Sequence, residues 1–203
     1  MPKQTIEKSS YHHGDLRQAL LTSAETILRR EGLQSLTLRA VAREAGVSHG
    51  APAHHFPDLA NLLSELAAVG FHRLAAELDK TDDATIQDRM ATGRAYVKFA
   101  IENKELFQLM FQSAKLDSSN TTLRNARSKA IARLAKSGAV PLEAPSLAQL
   151  GDITANWAVV HGFAQLLLDG RLATIFKLAP EGTTAMNLLD AVLTSVARAR
   201  KSR

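Results

Sequence analysis

Residues 37–56 read TLRAVAREAGVSHGAPAHHF, and this pattern predicts two short helices joined by a tight glycine turn. Thr37 is a good N-cap for a first helix whose apolar positions Leu38, Val41, Ala42 and Ala45 recur at helical spacing. Arg39, Arg43 and Glu44 are left for the wet side. Gly46 supplies the positive φ that ends this helix, and Val47 is an apolar plug inside the turn. Ser48 is then expected to cap a second helix running to His55 and stopped by Phe56-Pro57. Small or polar groups at His49, Gly50 and Ala51 suit an approach to base edges, while His54 and His55 fall where phosphates would lie. Pro52 is tolerable only in the first turn of such a helix. The same pattern also suits an ordinary αα-hairpin of a bundle.

Working outward, the chain reads as helix nearly throughout, with no alternating strand pattern, so the fold class is all-α. Residues 1–14 are expected to be a flexible polar arm ending in YHHG. Helix one spans about 15–31, with Leu16, Leu20, Ala24, Ile27 and Leu28 on one face and Gly32 as its stop. After the two reading helices, a long connecting helix spans about 58–78, with Leu59, Leu62, Leu63, Leu66, Val69, Leu74 and Leu78 as its stripe. Polar KTDD at 80–83 breaks it. Further helices are expected at about 86–102, 104–112, 122–136, 146–169 and 181–200, separated by breakers that include Gly138, Pro141, Gly170 and Pro180. This gives an N-terminal unit at 15–60, carrying the two short helices and their glycine turn, and a larger helical unit at 61–203.

Composition sets outer limits. Of the 203 residues 45% are hydrophobic and 5% aromatic, enough for one or two small cores. The formal charge of +5 favours an anionic partner only mildly. Five of the seven histidines lie in the first 57 residues, where imidazole can meet phosphate. With no cysteine, thiol redox switches, disulfides and thiolate metal sites are excluded. The longest apolar run, WAVVHGFAQLLL, is too short to span a bilayer, and the polar start does not read as a signal peptide, so a cytoplasmic protein without membrane association is expected.

The segment LRQALLTSAETILRREGLQSLTLRAVAREAGVS, with HHFPD and LANLLSELA after it, resembles the DNA-binding region of the TetR family of transcriptional regulators over residues 16–66. The resemblance implies a three-helix helix-turn-helix head and a double-stranded DNA operator as partner. Together with the residue chemistry it marks Thr37, Arg39, Ser48, His49, Gly50, Ala51, Ala53, His54 and His55 as the DNA-binding candidates. Two departures stand out. Family members commonly carry tyrosine at the position of Ala53 and lysine at that of Leu59, both phosphate contacts, so positioning is weakened here while base readout is untouched.

In the second half, YVKFAIENKELFQLMFQ clusters Tyr96, Phe99, Phe107, Met110 and Phe111. Trp157 and His161, four apart, share a helix face, and Gly162 is expected to permit close helix approach. Ordinary core packing accounts for such residues; the sharper reading is an apolar pocket walled by Tyr96, Phe99, Phe107, Met110, Phe111, Trp157 and His161, holding a small, weakly polar effector. W-x-x-x-HG at Trp157, His161 and Gly162, with YHHGDLR and YVKFAIENKELFQLMF, is similar to one C-terminal domain type of the same family. That likeness implies a homodimer through the last two long helices. No phosphate loop, zinc-protease signature, nucleophile elbow or cysteine nucleophile occurs, so an enzyme is not expected, nor a cofactor. Adjacent histidines on a helix point about 100° apart, so neither His12-His13 nor His54-His55 makes a metal site. The sequence therefore reads as a ligand-responsive repressor, with a non-specific nucleoid protein or an activator without effector as alternatives.

Overall fold

The computed structural model describes residues 13–81, 86–136 and 143–201, and among these every regular element is helical. α1 (His13–Glu31) is followed by a 3₁₀ turn at Leu33–Ser35 and by α2 (Leu38–Glu44). A second 3₁₀ turn, Ala51–His54, leads into α3 (Leu59–Leu78). Then come α4 (Ile86–Glu102), α5 (Lys104–Met110), α6 (Thr121–Lys136), α7 (Leu147–Leu168), α8 (Ala173–Leu178) and α9 (Ala185–Lys201). The all-α expectation holds, and the caps explain most boundaries. Thr37 accepts from the Ala40 N–H at 3.0 Å, Asp58 from Asn61 at 2.7 Å, and Ser146 forms a reciprocal capping box with Gln149.

Other expectations shift. α1 begins at His13, two residues inside the expected arm, whose residues 1–12 lie outside the described residues, as do positions 82 and 83 of the KTDD break and the loop containing Gly138 and Pro141. α8 is an extra short helix within a stretch read as loop. The largest change is the expected helix 48–55, which is a single 3₁₀ turn with Gly50, not Ser48, at its N-cap. An α-helix starting at His49 needs the residue 52 N–H to reach the Ser48 carbonyl, and Pro52 has none. That carbonyl takes the Ala51 N–H instead, at 3.0 Å, and Gly50 takes that of Ala53 at 3.2 Å.

α3 is the axis of the molecule. The predicted stripe is inside, but so are Ser64, Glu65, Ala67, Ala68, Phe71 and Ala75, because α1, α4, α5 and α6 all pack on this helix. α5 crosses it at Gly70, where an added Cβ would lie 2.6 Å from Met110 Sδ. Two charged clamps fix α1 to α3. Arg73 forks onto Glu25 at 2.6 and 2.8 Å, and Arg17 binds the buried Glu65. Glu65 also accepts from Asn120 Nδ2 at 3.0 Å, and Asn120 caps α6 by accepting from the Leu123 N–H at 2.7 Å. From the position just before Glu65 on α3, Ser64 Oγ accepts the Asp117 N–H at 2.8 Å, tying the loop before α6 to the axis.

Burial alone would push the Glu65 carboxyl up, but hydrogen bonds from Asn120 and Thr122 and the Arg17 charge outweigh it, leaving the group below its ordinary value. A depressed carboxylate stabilises the fold above its unfolded pKa, and that contribution is lost as pH falls through the lower folded value. Glu65→Gln is therefore expected to cost about 1–3 kcal/mol near pH 7 in urea unfolding. The gap to wild type should narrow as pH drops below about 4; a gap independent of pH would show that the charge contributes nothing.

Candidate functional site

The first site is the surface around the turn after α2. Gly46 has φ 68°, its N–H reaches the Arg43 carbonyl at 3.1 Å, and the Val47 N–H reaches Ala42 at 3.0 Å. This is a Schellman closure, and it turns Val47 inward against the core while the chain exits to solvent. Ser48, His49, Gly50, Ala53 and His54 are exposed, as are Thr37 and Arg39; Ala51 and His55 are half-buried. Pro52 and Phe56 are buried and anchor the turn from beneath, and Arg17 of α1 lies over the Phe56 ring at 5.5 Å. The Thr37 hydroxyl oxygen serves the Ala40 N–H, which leaves its O–H as a donor. Leu59 is half-buried and packs against the core, so the departure from lysine there serves packing as well.

The second site is a cavity of about 200 Å³ among α3, α4, α5, α6 and α7. Of the expected lining residues Tyr96, Met110, Phe111 and Trp157 are there. Phe99, Phe107 and His161 are not: Phe99 and Phe107 are buried in the core, and His161 stands behind Phe111, ring centroids 4.4 Å apart. Phe111 is the hub of the aromatic group, 5.0 Å from Phe107, 5.6 Å from Phe71 and 6.5 Å from Trp157. The residues the sequence reading missed are Phe71 and Leu74 from α3, Arg127, Ala130, Ile131 and Leu134 from α6, and Ser113 from the turn after α5. Their signal was the repeat of Leu123, Ala126, Ala130 and Leu134 at helical spacing, which marks the face α6 presents to α3.

The polar anchors turn out to be engaged with each other. Trp157 Nε1 donates to the Tyr96 hydroxyl at 3.2 Å, and that hydroxyl lies 3.0 Å from His161 Nδ1. Burial holds the Tyr96 phenol well above its ordinary pKa despite the Trp157 bond, and burial lowers that of His161. Both shifts favour the neutral forms, a phenol and an imidazole sharing one hydrogen bond. The four-residue spacing of Trp157 and His161 is what lets one tyrosine satisfy both. Gly162 departs from expectation: an added Cβ there meets nothing within 4 Å, so it allows no close approach inside this subunit. In the last two long helices, where the dimer is expected, Phe163 and Leu189 are buried internally and Trp157 turns to the cavity, whereas Leu147, Leu150 and Leu166 are exposed.

A head built on a Schellman-closed glycine turn, joined through α3 to a helical body, agrees with what sequence comparison finds. The profile of "Bacterial regulatory proteins, tetR family" matches residues 20–66, and that of "Tetracyclin repressor-like, C-terminal domain" matches residues 90–192. The chain belongs to the TetR family. This TetR-family protein is thus a member of a family of DNA-binding helix-turn-helix transcription regulators, and its WHG-type resemblance is consistent with the matched C-terminal domain. It is similar to a protein of unknown function from Rhodococcus sp. RHA1, at 30% identity over 95% of this chain and 98% of that one, with a TM-score of 0.74. TetR-family regulators from Streptomyces coelicolor (18% identity, 92% and 81% covered, TM-score 0.67) and Haemophilus influenzae (20%, 91% and 96%, 0.57) share the fold. No curated protein matches. Among the described residues no helix is long and apolar enough to cross a membrane.

Tyr96→Phe would leave the Trp157 N–H and His161 Nδ1 without their shared partner. The expected cost is about 1–3 kcal/mol in urea unfolding, with a shifted Trp157 emission maximum. Wild-type stability in this variant would mean that water replaces the hydroxyl.

Proposed function

We propose that this protein is a ligand-responsive repressor acting as a homodimer on a pseudo-palindromic operator, residues 15–60 forming the DNA-binding unit and 61–203 the dimerisation and effector unit. The observation that carries the DNA reading is the exposed run Ser48, His49, Gly50, Ala53 and His54 held on a base of buried Pro52 and Phe56. A rigid seat under small, polar, exposed groups suits insertion into a major groove. His49, with the backbone at Gly50 and Ala51, reads bases; Thr37, Arg39, Ser48, His54 and His55 hold phosphates. Ala53 reaches none, so gripping falls to those groups and to the N-terminal segment.

Selecting bound sequences from a random DNA pool tests this. His49→Ala is expected to change the preferred sequence or to cost about 1–3 kcal/mol at one position, whereas His54→Ala weakens all sequences alike. Uniform loss from both would remove His49 from base readout, and salt-steep binding without any preference would make the protein a non-specific DNA coater.

The dimer is proposed to form through the outer faces of α7 and α9. Leu147 is 87% exposed and Leu150 and Leu166 over 40%, an apolar face that water does not favour. Gly162, open on the same helix, is suited to backbone approach by a partner helix. In sedimentation at micromolar concentration the wild type is expected to be dimeric. Gly162→Leu, whose Cβ meets nothing within 4 Å inside the subunit, should give a folded monomer with weakened operator binding; an unchanged dimer would place the interface elsewhere.

The cavity is proposed as the effector site, its mainly apolar wall holding a small molecule with an apolar body. Its ligand would shift the equilibrium between head spacings only by binding one of them more tightly.

A further inference from the structure

Arg127 lines the cavity from α6, and among the described residues it makes no hydrogen bond and no ion pair. Its recorded contact is with an aromatic face, the guanidinium lying 5.5 Å from the Phe71 ring centroid. The other two arginines of α6 have polar partners: Arg133 pairs with Asp79 at 2.6 Å, and Arg124 reaches Thr121 at 3.4 Å. Of the other polar groups of the wall, the Tyr96 hydroxyl and the Trp157 N–H serve each other, and Ser113 adds a neutral hydroxyl, so Arg127 is the charged group there. A guanidinium offers five N–H donors in a planar fork that fits a carboxylate in two parallel bonds. The Phe71 ring face, attracted to the cation, holds the guanidinium at the wall before anything binds.

We infer that the cavity takes a small organic anion, its carboxylate held by Arg127 and its apolar body against Phe111 and Trp157. This rests on the effector-site reading above and gives it a substrate class. The sign follows from desolvation. Any ligand filling the cavity strips water from Arg127, and a charge stripped of water without a partner is costly. A neutral apolar body bears that cost uncompensated; a carboxylate cancels it. Size narrows the class further. A cavity of about 150 Å³ admits benzene, so about 200 Å³ suits one ring with a short acid side chain, or a short alkyl acid.

The probes are phenylacetate, 3-phenylpropionate and octanoate, each beside its primary amide, with Trp157 fluorescence and thermal shift as readouts. At least one acid is expected to bind tenfold or more tightly than its amide, to raise the melting temperature and to change the Trp157 emission. Arg127→Gln should bring the acid down to the affinity of its amide and leave the amide unchanged. Arg127→Lys should fall between, since it keeps the charge and loses the fork. Arg124→Gln, on the same helix but away from the cavity, should bind like wild type. Acid and amide binding equally, with Arg127→Gln without effect, would overturn the anion assignment while leaving the cavity as a neutral effector site. No binding by any of the six probes would overturn both.

Discussion

A carboxylate buried in the middle of the central helix is the interaction on which the rest of this molecule hangs. Glu65 sits among Leu62, Leu66 and Ala68, where an unpaired charge would not be tolerated. It is held by Arg17 from α1 and by Asn120 from the start of α6. Removing either partner leaves a charge in a dry place, which is far more costly than the pair is favourable. Three segments distant in sequence are thereby fixed to one another. Hydrophobic burial brings α1, α3 and α6 together; this network decides their register.

The same network joins the two candidate sites. The Arg17 guanidinium that binds Glu65 also covers Phe56, the buried residue closing the reading turn. Asn120, on the other side of Glu65, begins the helix that carries Arg127 seven residues later, two turns along the same rod. A ligand that pulls on Arg127 therefore acts on a helix pinned to the seat of the reading turn through two polar side chains. Contiguity alone carries no signal. The coupling requires that the ligand bind one position of α6 better than another, and the free energy transmitted cannot exceed that difference.

Caps and periodicity made much of this legible before any coordinates. Thr37, Gly46 and Ser146 are short-range signals acting on neighbouring backbone, and the ends of α2 and α7 follow from them. The expected second helix fails at Pro52, which is close enough to the helix start to look tolerable, yet its missing N–H removes the bond that would have opened the helix. The cavity was half legible. Tyr96, Met110, Phe111 and Trp157 announced themselves as aromatic or apolar residues in a cluster, but Arg127 and Phe71 face each other only because α3 and α6 pack, a pairing that sequence spacing does not encode. The close approach expected at Gly162 has no partner helix within the subunit, since an added Cβ there meets nothing within 4 Å. Which side of a helix meets its own subunit is a tertiary fact.

α7 shows what that distinction implies. The helix is apolar nearly all round, the pattern of a helix covered on every side. Its own subunit buries Ile153, Val160, Phe163 and Ala164, and the opposite side with Leu147, Leu150 and Leu166 meets water. Yet this rod also presents Trp157 to the cavity and is clamped by Tyr96 through Trp157 and His161. Cavity wall and outer apolar face are thus parts of one rigid element. If a second copy covers that face, each cavity is braced by the partner, and a ligand that displaces Trp157 must work against the subunit interface as well as its own core. Ligand binding and the geometry of the pair are then a single equilibrium, which is what a regulator reading two half-sites at a fixed spacing requires.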